Sequence, residues 1–200
     1  MKKIVLLTGG GDLPIEVIRK LIKKKITFFC LIFEKNPVSK IILKKNYKLI
    51  NFGKIISELL KLKSLGFNHV VLVGNIKRPS ISDIKPDFNS AKIIPQFIKI
   101  LLKGGDNNLL NFCINCLNNF GFNVLDLRKI IPENFLSSGN IIKINLSKRI
   151  IDDIKKGKMI LDCISKFDIG QSLVIQSGNI IGIEAAQGTD KLIKDSYNYL

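Results

Sequence analysis

Two glycine-centred stretches carry the residue types that hold phosphate. The first is Gly9-Gly10-Gly11-Asp12-Leu13-Pro14, set between an apolar run and a helical pattern. Glycines let backbone N–H groups approach a phosphate closely, and the helix that follows turns its positive end toward the same point. The dinucleotide fingerprint needs a further glycine at its sixth position, for close helix–strand packing. Pro14 stands there instead, and no acid closes the next strand as a clean ribose ligand, Glu34 being only nearby. The loop therefore reads as a cradle for a mononucleotide or diphosphate sugar, with NAD binding and a bare tight turn as the alternatives.

The second stretch is Gly74-Asn75-Ile76-Lys77-Arg78-Pro79-Ser80. Arg78 can grip a phosphate through two parallel bonds and Lys77 acts as a point charge; a solvated basic turn is the plain alternative. Three further positions carry carboxylates at element ends. Asp106, in Gly104-Gly105-Asp106-Asn107-Asn108, stands at a helix start, where it either caps amides or meets a metal or substrate. Glu184 follows a strand, and Gly188-Thr189-Asp190 opens a helix, with the same ambiguity. Asp168 and Gln171 bracket the turn "DIGQ" and serve at least to fix it.

Composition bounds these readings. The formal charge is +16, which invites a nucleic-acid partner. Lysine, however, supplies 28 of the 32 basic residues, and isoleucine, asparagine and lysine together make 81 of 200, a bias of A- and T-rich codons. The charge is spread along the chain, and arginine, which does most specific base reading, is scarce. A nucleic-acid function is not expected. Cys113 and Cys116 form a C-x-x-C inside "NNLLNFCINCLNNF", which reads as one helix whose face they share with Leu109, Leu110 and Leu117. With His69 as the only histidine, a four-ligand zinc site is not in prospect. All four cysteines, Cys30 and Cys163 included, read as small buried hydrophobes, and His69 as structural. No uninterrupted apolar run reaches the roughly 18 residues of a membrane span. Lys2 and Lys3 precede too few apolar residues for a signal peptide, so a cytoplasmic chain is expected.

The first 130 or so residues alternate strand and helix. "KKIVLLT", "ITFFCLIF", "YKLINF", "NHVVLVG" and "GFNVLDL" are the strands. "PIEVIRKLIKKK" is a helix with Ile15, Ile18, Leu21 and Ile22 on one stripe, Pro14 in its first turn and Asp12 as cap. "GKIISELLKLKSLGF", "AKIIPQFIKILLK" and the run to Phe120 supply the other helices. This β-α-β order implies a mostly parallel sheet covered on both faces, with ligands at the strands' carboxyl ends. The alternation ends near "RKIIPENFLSSGN". A Rossmann-like domain over 1–132 is expected, then a smaller, incomplete α/β domain over 140–200. The second holds a helix over 146–166 weakened by Gly157, a hairpin turning at Ser177-Gly178-Asn179, and a last helix capped by Thr189 or Asp190. Its strands should expose Val174, Ile175, Ile181 and Ile183, an edge that invites a second copy of the chain.

Taken in order, "GGGDLP", "FGKI", "GNIKRPSISDIKPD", "KGGDNNLL" and "DIGQSLVIQSGNIIGIEAAQGTD" resemble the LpxI-type UDP-2,3-diacylglucosamine pyrophosphatases over nearly the whole chain. The resemblance implies a Rossmann-like half and a distinct C-terminal α/β half with substrate between them. It implies Mg²⁺-assisted attack of water on the α-phosphorus, giving UMP and 2,3-diacylglucosamine 1-phosphate in lipid A synthesis. It further implies a lipid substrate met at the inner-membrane surface. By matching position, Gly10, Gly11 and Asp12, then Gly74, Asn75, Ile76 and Lys77 with Arg78, then Gln171, Gly188 and Thr189 fall at substrate-binding places. Asp106, Glu184 and Asp190 are the catalytic candidates; the metal ligands are not assigned. Family members run on past the position of Leu200, into an acidic segment expected to carry the catalytic aspartate. Members often have an acid where this chain has Asn107 and Glu where it has Gln187. The resemblance thus leaves two readings: a lipid A-pathway pyrophosphatase, or a non-catalytic UDP-sugar-binding remnant.

Overall fold

The computed structural model describes residues 2–34, 46–76, 79–103, 106–136 and 145–199, with the side chain of Asp106 outside the description. The chain divides into two compact units, Met1–Gly104 with Asn108–Leu136, and Gly105–Asn107 with Ser137–Leu200.

The first unit is a five-stranded sheet in the order β3-β2-β1-β4-β5. Its strands are β1 (Ile4–Thr8), β2 (Phe28–Phe33), β3 (Tyr47–Ile50), β4 (His69–Val73) and β5 (Asn123–Val124). Every pairing is parallel, with Ile4 opposite both Phe28 and His69. Helices α1 (Leu13–Lys23), α2 (Ile55–Ser64), α3 (Ile94–Lys103) and α4 (Asp106–Asn119) join them. The side-chain period of two in β1 divides the interior into two cores. Ile4 and Leu6 pack with Val17, Ile18 and Leu21 of α1 and with Ile130 and Ile131. Val5 and Leu7 face the other way, onto Leu59 and Leu62 of α2 and Leu117 of α4. Strands buried on both faces need the continuous apolar runs this sequence has. The chain is an α/β protein with a Rossmann-like parallel sheet, as its sequence implies.

Several local expectations are corrected. The buried stripe of α1 is Pro14, Val17, Ile18 and Leu21, while Ile22 is half exposed. Asp12 precedes α1 but makes no side-chain capping bond; its carbonyl accepts from the Ile15 and Glu16 amides. On α4, Leu110 turns outward, and Cys113 and Cys116 are part-buried beside Leu117. Burial pushes the Cys113 thiol up to about 11, with Cys116 adding to it, and the Cys30 thiol up to about 12, which favours the neutral thiol over the thiolate. Cys163, by contrast, is exposed. The fifth strand shrinks to two residues because Asp126 caps a 3-10 turn at Leu127–Lys129 through the Arg128 amide.

The second unit packs α5 (Lys148–Ile164) and α6 (Thr189–Ser196) on an antiparallel hairpin, β6 (Leu173–Gln176) and β7 (Asn179–Ile183). Ser177 and Gly178 both take positive φ, 56° and 81°, the twist-matched two-residue turn of hairpins. Gly157 lies buried on α5 against Leu173, so its cost in helix propensity accompanies a close helix–strand approach. Gly188, not Thr189 or Asp190, is the N-cap of α6. Of the expected apolar edge, Val174, Ile175 and Ile181 are half-buried, and only Ile183 is exposed. Among the described residues no helix is long and apolar enough to cross a membrane.

Candidate functional site

The sheet's strand order reverses between β1 and β4, the switch point outside which open α/β sheets bind ligands. Both glycine stretches leave strands there. Gly9 donates to the Val73 carbonyl at 2.9 Å, and Gly10 and Asn75 exchange both backbone bonds at 2.8 and 2.9 Å. The two loops are thus fused at their roots. Glycine is required for this. Gly74 has φ +88°, and a Cβ there would stand 2.6 Å from both the Gly10 oxygen and Pro14 Cγ. Pro14 therefore closes the loop junction from the α1 side and occupies the fingerprint's third-glycine position in doing so. Beyond the junction the loops open outward. Gly11, with φ +93°, has nothing within 4 Å of where its Cβ would be. Gly11, Asp12, Leu13, Asn75 and Ile76 are exposed. Exposed backbone at the N-terminus of α1, with a macrodipole behind it, suits an anion. Lys77 and Arg78 lie outside the described residues.

The second unit gathers Gln171, Glu184, Gly188 and Thr189. Glu184 follows β7, and its amide donates to the Ser172 carbonyl at 2.9 Å. One carboxylate oxygen accepts from the Thr189 hydroxyl at 2.8 Å, and the other from the Gln171 amide at 3.2 Å. The Thr189 hydroxyl first, then that of Ser172, holds the Glu184 carboxyl below the usual carboxylate range. Gly170 lies flat against the Glu184 backbone, where a Cβ would collide with its carbonyl. "DIGQ" and "EAAQGTD" thus form one cluster, with Glu184 as the hub. Gln187 donates from Nε2 to the Ile183 carbonyl at 3.0 Å and accepts the Ala185 amide at 3.1 Å. A glutamate there could not donate the first bond, so glutamine has its own local reason. Asp190 is exposed in the first turn of α6, one residue beyond Thr189. Asp106 begins α4.

Sequence reading overlooked Ser172, whose hydroxyl supports Glu184; a serine beside the "DIGQ" turn carries no pattern that marks it. It also left "NFGKI" without a role. Among the described residues no three His, Cys, Asp or Glu side chains form a group able to hold a metal. Magnesium takes near-octahedral oxygen ligation, commonly with substrate phosphates among its ligands. The described carboxylates by themselves do not fit such a site.

The chain matches the LpxI N-terminal domain family over residues 3–134 and the LpxI C-terminal domain family over residues 137–199. Among curated proteins it is similar to the UDP-2,3-diacylglucosamine pyrophosphatase LpxI of Caulobacter vibrioides (strain ATCC 19089 / CIP 103742 / CB 15). The two are 27% identical over 202 residues, covering 97% of this chain and 69% of that protein.

Proposed function

This chain belongs to the LpxI family, and on that premise we propose that it hydrolyses UDP-2,3-diacylglucosamine in lipid A synthesis. Water adds to the α-phosphorus, the bond from that phosphorus to the bridging oxygen breaks, and the bridging oxygen leaves with the sugar phosphate. UMP and 2,3-diacylglucosamine 1-phosphate result. The observation that carries the reading is the Gly10–Asn75 junction, which presents two open loops at the sheet's switch point. In this proposal the Gly10 and Gly11 backbone, Asp12 and the start of α1 meet the diphosphate. Asn75 and Ile76 flank it, and Lys77 and Arg78 neutralise its charge. Within the second unit, Gln171, Gly188 and Thr189 are the proposed substrate-binding residues.

Glu184 is the weaker choice of base, since both of its carboxylate oxygens are already held, one by the Thr189 hydroxyl and the other by the Gln171 amide. It organises the turn, which leaves Asp106 and Asp190 as carboxylates to accept the proton of the attacking water. Magnesium is included as an assay component. The proposal also places the chain in the cytoplasm, touching the inner-membrane surface where a diacyl substrate resides, and associating with further copies. Exposed Ile150, Ile151 and Ile154 on α5 support such contacts.

The test follows UMP release by the purified 200-residue chain given UDP-2,3-diacylglucosamine and Mg²⁺. Release above a protein-free control, abolished in Asp106→Asn or Asp190→Asn, is the expected result. Binding of UDP with no release establishes the binding-only reading instead, and neither binding nor release sinks the proposal.

A further inference from the structure

At its carboxyl rim the sheet of the first unit divides. Pairing between β1 and β2 ends at Thr8 and Ile32. Beyond that pair, the chain leaving β1 leans toward β4: the Gly9 amide donates to the Val73 carbonyl, and Gly10 exchanges both backbone bonds with Asn75. The chain leaving β2 stays with β3 instead, the Glu34 amide donating to the Ile50 carbonyl at 3.2 Å. The two strand ends part like a fork, with the glycine loop on one lip and Glu34 on the other. Neighbouring strands lie about 5 Å apart before they part, so a group of pentose size spans the gap. The Glu34–Ile50 bond continues the ladder in which the Cys30 amide meets the Asn46 carbonyl, so the strand alternation runs on through position 34. Cys30 and Ile32 belong to the core against α1, and Phe33 to the opposite core. Alternation therefore sets Glu34 on the α1 side of the sheet, the side on which the glycine loop enters α1.

The Glu34 carboxylate is exposed and accepts no bond among the described residues. Other acids of this unit are committed: Glu58 is shared by Lys48 and Lys61, and Asp126 is held by Arg128. We propose that Glu34 binds the ribose of the nucleotide. Its two oxygens accept the adjacent 2′- and 3′-hydroxyls, while the Gly10 and Gly11 backbone meets the diphosphate across the fork. An ionised carboxylate only accepts, which suits a pair of hydroxyl donors, and bonds to an ionised acceptor are the strong ones. The ribose standing between them keeps this negative charge off the phosphates. The inference rests on the proposed function for the ligand's identity as a uridine nucleotide, and it adds selection of ribose over deoxyribose. A carboxylate that is merely solvated would leave the chain indifferent to the 2′-hydroxyl.

The test titrates the full chain with UDP and with 2′-deoxy-UDP, which differ by one hydroxyl. The unsubstituted chain should bind UDP about tenfold more tightly, the scale of one hydrogen bond to a charged group. Glu34→Ala should bind the two alike, at about the strength with which the unsubstituted chain binds 2′-deoxy-UDP. Glu34→Gln keeps the length of the side chain but not its charge, and should show a smaller preference than the unsubstituted chain. Unchanged amide protection in β1 shows that the variants are folded. A full preference for UDP retained in Glu34→Ala overturns the assignment, and so does equal affinity of the unsubstituted chain for both nucleotides, a result that leaves the proposed function standing. Failure of the unsubstituted chain to bind either nucleotide overturns the proposed function and this inference with it, before any variant is made.

Discussion

Glu184 illustrates how much one carboxylate can be committed by its neighbours. Thr189 and Gln171 occupy an oxygen each, and the depressed pKa makes the ionised form a stabilising element. The sign follows from linkage. A folded-state pKa below the unfolded value contributes stability that is present above about pH 4.3 and lost as pH falls through the lower folded value. Glu184→Gln removes that titration. Between about pH 6 and about pH 3 the urea midpoint of the parent chain should therefore fall further than that of Glu184→Gln; equal falls would refute the stabilising role. The same residue scale explains why Pro14 replaces a glycine. At 2.6 Å from a Gly74 Cβ, its ring fills the junction from the α1 side. The glycine requirement moves across to Gly74, on the other loop.

At the scale of elements, hairpin and helix in the second unit are joined through Asp153. Its two carboxylate oxygens accept the Ser177 amide at 2.9 Å and the Gly178 amide at 2.6 Å, while Lys156 donates to the Gly178 carbonyl at 2.6 Å. The β6–β7 turn is thereby held on the surface of α5. Asp153→Ala leaves two turn amides without their acceptor, at a cost of roughly 1–3 kcal/mol. Equilibrium unfolding monitored on the hairpin amides should show that loss; a change below about 0.5 kcal/mol would mean that water replaces the carboxylate without penalty. In the first unit the comparable junction is made by backbone alone, between Gly10 and Asn75, and so depends on glycine geometry rather than on a charged side chain.

Across the whole molecule, burial is divided unequally. The two sheet cores hold nearly all fully buried side chains, whereas Leu192 is the only buried large apolar side chain described in the second unit. Local stability follows buried apolar contact. Amides of β1 and β4 should exchange at the slow, global limit and those of β6 and β7 markedly faster; equal protection would contradict this division. The sequence by itself determined the parallel α/β class, because strands buried on both faces must be continuously apolar. It also determined the two glycine loops, the hairpin turn and the family, because these are local patterns. The tertiary structure alone decided what joins those patterns: Gly10 with Asn75, Asn51 with Asp83 and Lys85, Glu184 with Gln171 and Thr189. Such pairs lie between 5 and 65 positions apart in the chain. No local spacing records them, since hydrogen-bond partners are chosen by the positions of strand ends in space.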